Sequence, residues 1–179
     1  TGAGSLTLTS SNSVGGALSV AAGSLVLAGG TTGTGAVTVA SGTTVCGIGT
    51  LGGNVIVASN AVFHAGTPTA CGTLAIGGNL TLAQGVCLTW RYDVAAADTI
   101  TVAGLLTFPT NGIVQASALS SGVFAPAKSV LFASQQAISG PDTLAGWAVT
   151  GVKKATLAYS DDRTKIYLKC PRGTVILIQ

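Results

Sequence analysis

One eight-residue unit recurs through the first half of this chain, and recurrence of that kind leaves few folds open. Gly16-Ala17-Leu18-Ser19-Val20-Ala21-Ala22-Gly23 is followed by Gly35-Ala36-Val37-Thr38-Val39-Ala40-Ser41-Gly42 and then by Gly53-Asn54-Val55-Ile56-Val57-Ala58-Ser59-Asn60. These starts lie 19 and 18 residues apart. A fourth copy, Gly78-Asn79-Leu80-Thr81-Leu82-Ala83-Gln84-Gly85, follows an extra strand pair around Leu74 and Ile76. A period near 20 residues with strand-like content marks a solenoid, whose repeats bury their apolar faces against one another.

Inside each copy the apolar residues alternate, as Leu18/Val20, Val37/Val39, Val55/Val57 and Leu80/Leu82, which puts them on one face of a strand. A second strand comes next in each unit, with Leu25/Leu27, Thr44/Cys46, Val62/His64 and Cys87/Thr89 expected at corresponding inward places. Gly23, Gly42, Asn60 and Gly85 stand between the two strands; they tolerate positive φ and so mark the corners. A single rung cannot stand alone, because its few inward aliphatics do not offset the entropy of ordering the rest. Stacking supplies the missing backbone partners and a continuous core.

The repeats are expected to fill residues 1–108, with irregular final rungs and a C-terminal β cap over 109–179. Thr99–Val102 and Leu105–Phe108 read as one more rung and Lys128–Ala133 as another strand. Trp147–Val149, Ala155–Tyr159 and Lys165–Leu168 read as an antiparallel meander, with Ser160–Thr164 as a turn. No segment has helical periodicity, so the expected class is all-β, a parallel β-helix with an antiparallel cap.

Charge is scarce and one-sided. Only 7% of the 179 residues are charged, against roughly 25% in an average domain, and the first of them is Arg91. A net charge of +3 from scattered Lys and Arg offers no basic stripe, which argues against nucleic acid as a partner. No run of 18 apolar residues exists, so no transmembrane helix is expected. A chain starting at Thr1 and lacking Met reads as a processed secreted protein or a fragment. Cys46, Cys71, Cys87 and Cys170 lack zinc-type spacing and are candidates for disulfides in an oxidising compartment. Three pairings are open, Cys46–Cys71 with Cys87–Cys170 being preferred because one coil separates the first two; buried free thiols are the alternative.

Gly33-Thr34-Gly35-Ala36-Val37-Thr38-Val39-Ala40-Ser41-Gly42, Gly47-Ile48-Gly49-Thr50-Leu51-Gly52-Gly53-Asn54-Val55, Gly72-Thr73-Leu74 and Gly78-Asn79-Leu80-Thr81-Leu82 together resemble the autotransporter-associated β-strand repeat proteins of Gram-negative and similar bacteria. The likeness covers roughly residues 16–108, and Pro171-Arg172-Gly173-Thr174-Val175-Ile176 resembles the last strand of some members. It implies a right-handed parallel β-helix at the cell surface, in a passenger or structural role. The four cysteines and the lack of a transporter barrel depart from that pattern.

Few residues offer chemistry, since the five carboxylates are all Asp. Arg91 and Asp93 lie two apart on one expected strand face, with Asp98 shortly after; this is the candidate acid/base cluster, weighed against a plain exposed ion pair. Asp161-Asp162-Arg163 reads as a solvated turn more readily than a calcium loop. His64 has no carboxylate near it in sequence and reads as structural. The glycine pairs Gly29-Gly30 and Gly52-Gly53 lack the helix and Lys that phosphate binding requires, and they read as corners. No catalytic, metal or cofactor site is expected.

Edges remain. Ser5-Leu6-Thr7-Leu8-Thr9 is strand-like and uncharged, while Val175, Ile176, Leu177 and Ile178 form an apolar run needing burial on both faces. Leu6, Leu8 and Val175 to Ile178 are therefore candidates for head-to-tail self-association into a fibre or surface layer. The expected function is a secreted, non-catalytic structural protein. The alternatives are an adhesin-type module with glycan partners, or a polysaccharide-active enzyme relying on Asp93 or Asp98.

Overall fold

A computed structural model describes residues 4–12, 15–120 and 127–171 of the chain. The central tripeptides of the repeated unit form β2 (Leu18–Val20), β4 (Val37–Val39), β6 (Val55–Val57) and β9 (Leu80–Leu82), and Leu106–Thr107 adds β12. They make one five-stranded parallel sheet. Leu18, Val37, Val55, Leu80 and Leu106 form one column, and all but Leu18 are sealed from solvent. Ser19, Thr38, Ile56 and Thr81 alternate outward, as a period of two requires.

The second sheet forks into two walls. Its first wall stacks β1 (Ser5–Leu8), β3 (Ser24–Thr31), β5 (Thr44–Leu51), β7 (Val62–Ala65), β10 (Val86–Tyr92), β13 (Gly112–Ala118) and β15 (Trp147–Thr150), all parallel. Its second wall runs from the end of β5 through β8 (Thr73–Ile76) and β11 (Thr99–Val102) to β14 (Lys128–Ser134), again parallel. The fork arises because β5 spans both walls: Thr44–Cys46 pair with β7, and Gly49–Leu51 pair with β8. Each layer thus takes one strand from the small sheet and then one from each wall.

Gly23, Gly42, Asn60 and Gly85 all have left-handed φ, from 59° to 74°, as their place at the corners predicts. At three of them the turn is closed by a backbone bond, Thr43 N to Ala40 O, Ala61 N to Ala58 O and Val86 N to Ala83 O. The corner at Gly23 is one residue shorter, and this shifts the phase of the strand after it. Leu25 lies opposite Val45, Phe63, Leu88 and Val114, all buried, so the expected inward pairs Thr44/Cys46, Val62/His64 and Cys87/Thr89 occupy the outer row instead. Bulky Val45, Phe63 and Leu88 fill the interior where Thr and His would leave polar groups unpaired.

At the far end the expected meander is corrected. Trp147–Thr150 pairs parallel with β13, and only β16 (Thr156–Tyr159) and β17 (Lys165–Lys169) form an antiparallel hairpin, laid on β14. The Ser160–Thr164 turn forms as predicted: Asp162 accepts bonds from Ser160 Oγ, Thr164 N and Thr164 Oγ1, which hold its carboxyl at about 2. One hydrophobic cluster joins residues from Val20 to Cys170, and Phe108 stacks on Trp147 at 4.4 Å, so the interior continues past residue 108. Among the described residues no helix is long and apolar enough to cross a membrane. Val175, Ile176, Leu177 and Ile178 lie outside the described residues.

Candidate functional site

The corner between the two walls changes along the stack. In β5 the chain turns it without a loop, through Gly47 and Gly49 at φ of 125° and 153°. A Cβ on Gly47 would collide with the Leu27 carbonyl and one on Gly49 with the Gly30 carbonyl, so layers this close exclude a side chain there. From β7 onward the corner is bridged by connecting segments, residues 66–72 and then 93–98. The charged residues of the repeats gather under these segments.

Arg91 projects on the outer row of β10, between the inward Trp90 and Tyr92, yet it is 7% exposed because the loops cover it. Asp93 N bonds to Ala96 O and Asp98 N to Arg91 O, so the 93–98 segment doubles back and brings Asp98 beside Arg91. Arg91 Nε donates to Asp98 Oδ2 at 2.9 Å, and the Arg91 backbone N–H donates to the same oxygen at 3.2 Å. Gly72 N donates to Asp98 Oδ1 at 3.0 Å. The other guanidinium nitrogens reach the carbonyls of Thr67 and Ala65 and, at 3.1 Å, His64 Nδ1. One ion pair therefore fastens both loops and the end of β7.

The electrostatics follow from burial. Desolvation pushes the Asp98 carboxyl up, opposed by the Arg91 charge and by hydrogen bonds from Arg91 and Gly72. Desolvation pushes His64 down; its contact with the Ala65 carbonyl opposes this and the Arg91 charge adds to it. A neutral imidazole can accept from Arg91 at Nδ1. Both Asp98 oxygens and the guanidinium face of His64 are thus engaged in holding the corner.

The expected grouping is corrected in two respects. The pair is Arg91 with Asp98, and it is buried; Asp93 Oδ1 instead accepts from Val94 N and Ser120 Oγ. His64 meets this pair through Arg91, its Nδ1 lying 3.1 Å from the guanidinium, while Asp98 arrives on a loop 34 residues further along the sequence. Asp161 has no part in the cluster, and Asp142 pairs with Arg163 at 3.4 Å on the surface.

All four cysteines are free, so neither Cys46–Cys71 nor Cys87–Cys170 is bonded. Cys87 is on the outer row of β10 whereas Cys170 belongs to the interior cluster, so a strand wall separates their sulfurs. Cys71 Sγ donates to the carbonyls of Arg91 and Ala96 at 3.5 and 3.6 Å. Burial raises every thiol, which keeps them protonated and unreactive. Among the described residues no group of His, Cys and Asp is placed to hold a metal ion.

Sequence reasoning missed the asparagines. Asn54 Oδ1 accepts from Asn79 N and Asn79 Oδ1 from Leu105 N, each at 2.8 Å, and Asn111 Oδ1 accepts from Gly85 N at 2.9 Å. The recurring Gly-Asn before β6 and β9 was the available signal.

Of the edge candidates, Leu6 is 55% exposed and Leu8 half-buried. Among the described strands β1 pairs with β3 alone and β2 with β4 alone. A groove of about 510 Å³ opens there, lined by Leu6, Leu18, Val20 and Leu25 among uncharged neighbours. No family model, curated protein or solved structure matches the chain.

Proposed function

We propose that this chain is a non-catalytic structural protein of the cell exterior, a right-handed parallel β-helix capped by the β16–β17 hairpin that associates through its first layer into a fibre or surface layer. The observation that carries the reading is one inward column, Leu6, Leu25, Val45, Phe63, Leu88, Val114 and Val149, maintained through seven successive strands. Such a column extends by adding layers about 4.8 Å apart. The buried charged group supports it, because Arg91 and Asp98 are consumed in fastening the corner. Placement at the cell surface, and kinship with autotransporter-associated repeats, rest on the residue pattern around Gly33–Val55.

The open first layer is the association surface in this reading. Head-to-tail growth joins β15 of one copy to β1 of the next, both uncharged and both in the first wall. The hairpin rises beside β15 in the second wall, so the segment at Ser11, held by its bridge to Thr31, must yield to it. Negative-stain microscopy with light scattering tests the reading. Rods that lengthen with protein concentration, and stay single in Leu6→Lys, are expected; isolated rods at every concentration end the assembly, and a globular particle ends the β-helix.

A further inference from the structure

Layers that depend on one buried cluster can be opened through it, and His64 is the imidazole in contact with that cluster. Its Nδ1 is 3.1 Å from an Arg91 guanidinium nitrogen and 2.9 Å from the Ala65 carbonyl oxygen. These contacts make opposite demands on one nitrogen. As acceptor it serves Arg91; as donor it serves Ala65, whose oxygen already takes a bond from Arg91 at 2.5 Å. The neutral imidazole with its proton on Nε2 satisfies the guanidinium.

We propose that the corner is an acid-sensitive clasp, in which protonation of His64 sets an imidazolium against Arg91 and releases the 66–72 and 93–98 segments. The proton added at Nδ1 turns the acceptor for Arg91 into a second donor facing it and competes for the Ala65 carbonyl. Arg91 cannot retreat while it holds Asp98 and the Thr67 carbonyl, so the strain passes to the loops those partners belong to. The titratable and charged groups around His64 are Arg91 from β10, which it contacts directly, Cys46, its partner in β5, and, beyond Arg91, Asp98 and Cys71 from the two segments. The thiols stay neutral throughout. Asp98 lies on the far side of the guanidinium, bonded to Nε, where it offsets the Arg91 charge without reaching the imidazole.

The sign is definite. A histidine held below 6.5 in the folded state contributes stability that is full above 6.5 and disappears as pH falls through its folded value. Asp98, held above 3.8, acts in the opposite sense. Opening is therefore expected on the acid side of neutrality, as His64 takes up its proton.

Hydrogen–deuterium exchange of the whole chain, corrected for intrinsic rates and compared at pH 7.5 and pH 5, reads the clasp directly. Protection of residues 66–72 and 93–98 is expected to fall at least tenfold at the lower pH, while Val37–Val39 and Val55–Val57 keep theirs. His64→Gln retains a polar acceptor that cannot take up the proton, and its two profiles should coincide. Equal protection of both segments at the two pH values in the unaltered chain overturns the proposal. A pH response that survives in His64→Gln also overturns it, because the opening would then not depend on the imidazole. Should His64→Gln fail to fold, nuclear magnetic resonance titration of the His64 imidazole decides: opening that does not track its titration sinks the clasp.

Discussion

The layers built from β3 and β5 and those built from β7 and β10 solve the same problem, turning from one wall to the next, by different physics. In β5 the turn is made within a continuous strand, and glycine is the only requirement, since the approaching carbonyls of Leu27 and Gly30 leave no room for a Cβ. Around β7 and β10 the turn is carried by extra residues, whose backbone groups need partners, and Arg91 with Asp98 supplies them. The contrast explains why the first 90 residues contain no Asp, Glu, Lys or Arg: neighbouring layers already satisfy the backbone there. Charge enters where loops must be tied down.

Five substitutions bear on this contrast. Arg91→Met should cost about 3–5 kcal/mol in urea unfolding, because it strands a buried carboxylate, and adding Asp98→Leu should restore much of the loss. A cost below about 1 kcal/mol would show that the loops do not depend on the pair. Gly47→Ala should cost about 2 kcal/mol or more, exceeding Gly85→Ala by a clear margin. Both glycines have left-handed φ, but nothing lies within 4 Å of a Cβ on Gly85. Equal losses would mean that backbone conformation alone, and not the proximity of layers, demands glycine at both positions. Asn79→Ala should cost about 1 kcal/mol, the loss of one bond to Leu105 N, read as a small shift in the same unfolding curve.

Much of the fold is legible because its signals are local. Alternation in Val37/Val39 or Leu80/Leu82 needs only the two-residue period, and Gly42, Asn60 and Gly85 announce left-handed corners by their own steric properties. The site is less legible. Arg91 and Asp93 look paired because adjacent outer positions on an extended strand lie two residues apart, but the strand stops at Tyr92 and the chain doubles back, so that Asp98 arrives instead. His64 looks isolated for the same reason: its neighbours come from the next layer. Cys87 and Cys170 look like partners in the sequence but fail because one lies on the outer row of β10 and the other in the interior cluster.

What the chain's order of residues determined by itself is the layer: its strands, its corners and the apolar stripe that obliges it to stack. What only the tertiary structure decided is phase and company, meaning which of two alternating rows faces inward after a corner of variable length, and which charges meet beneath the loops. A strand's period is set within a few residues, whereas its phase is set by the neighbour it must match, and a single extra corner residue before Val45 reverses every later side chain of that strand.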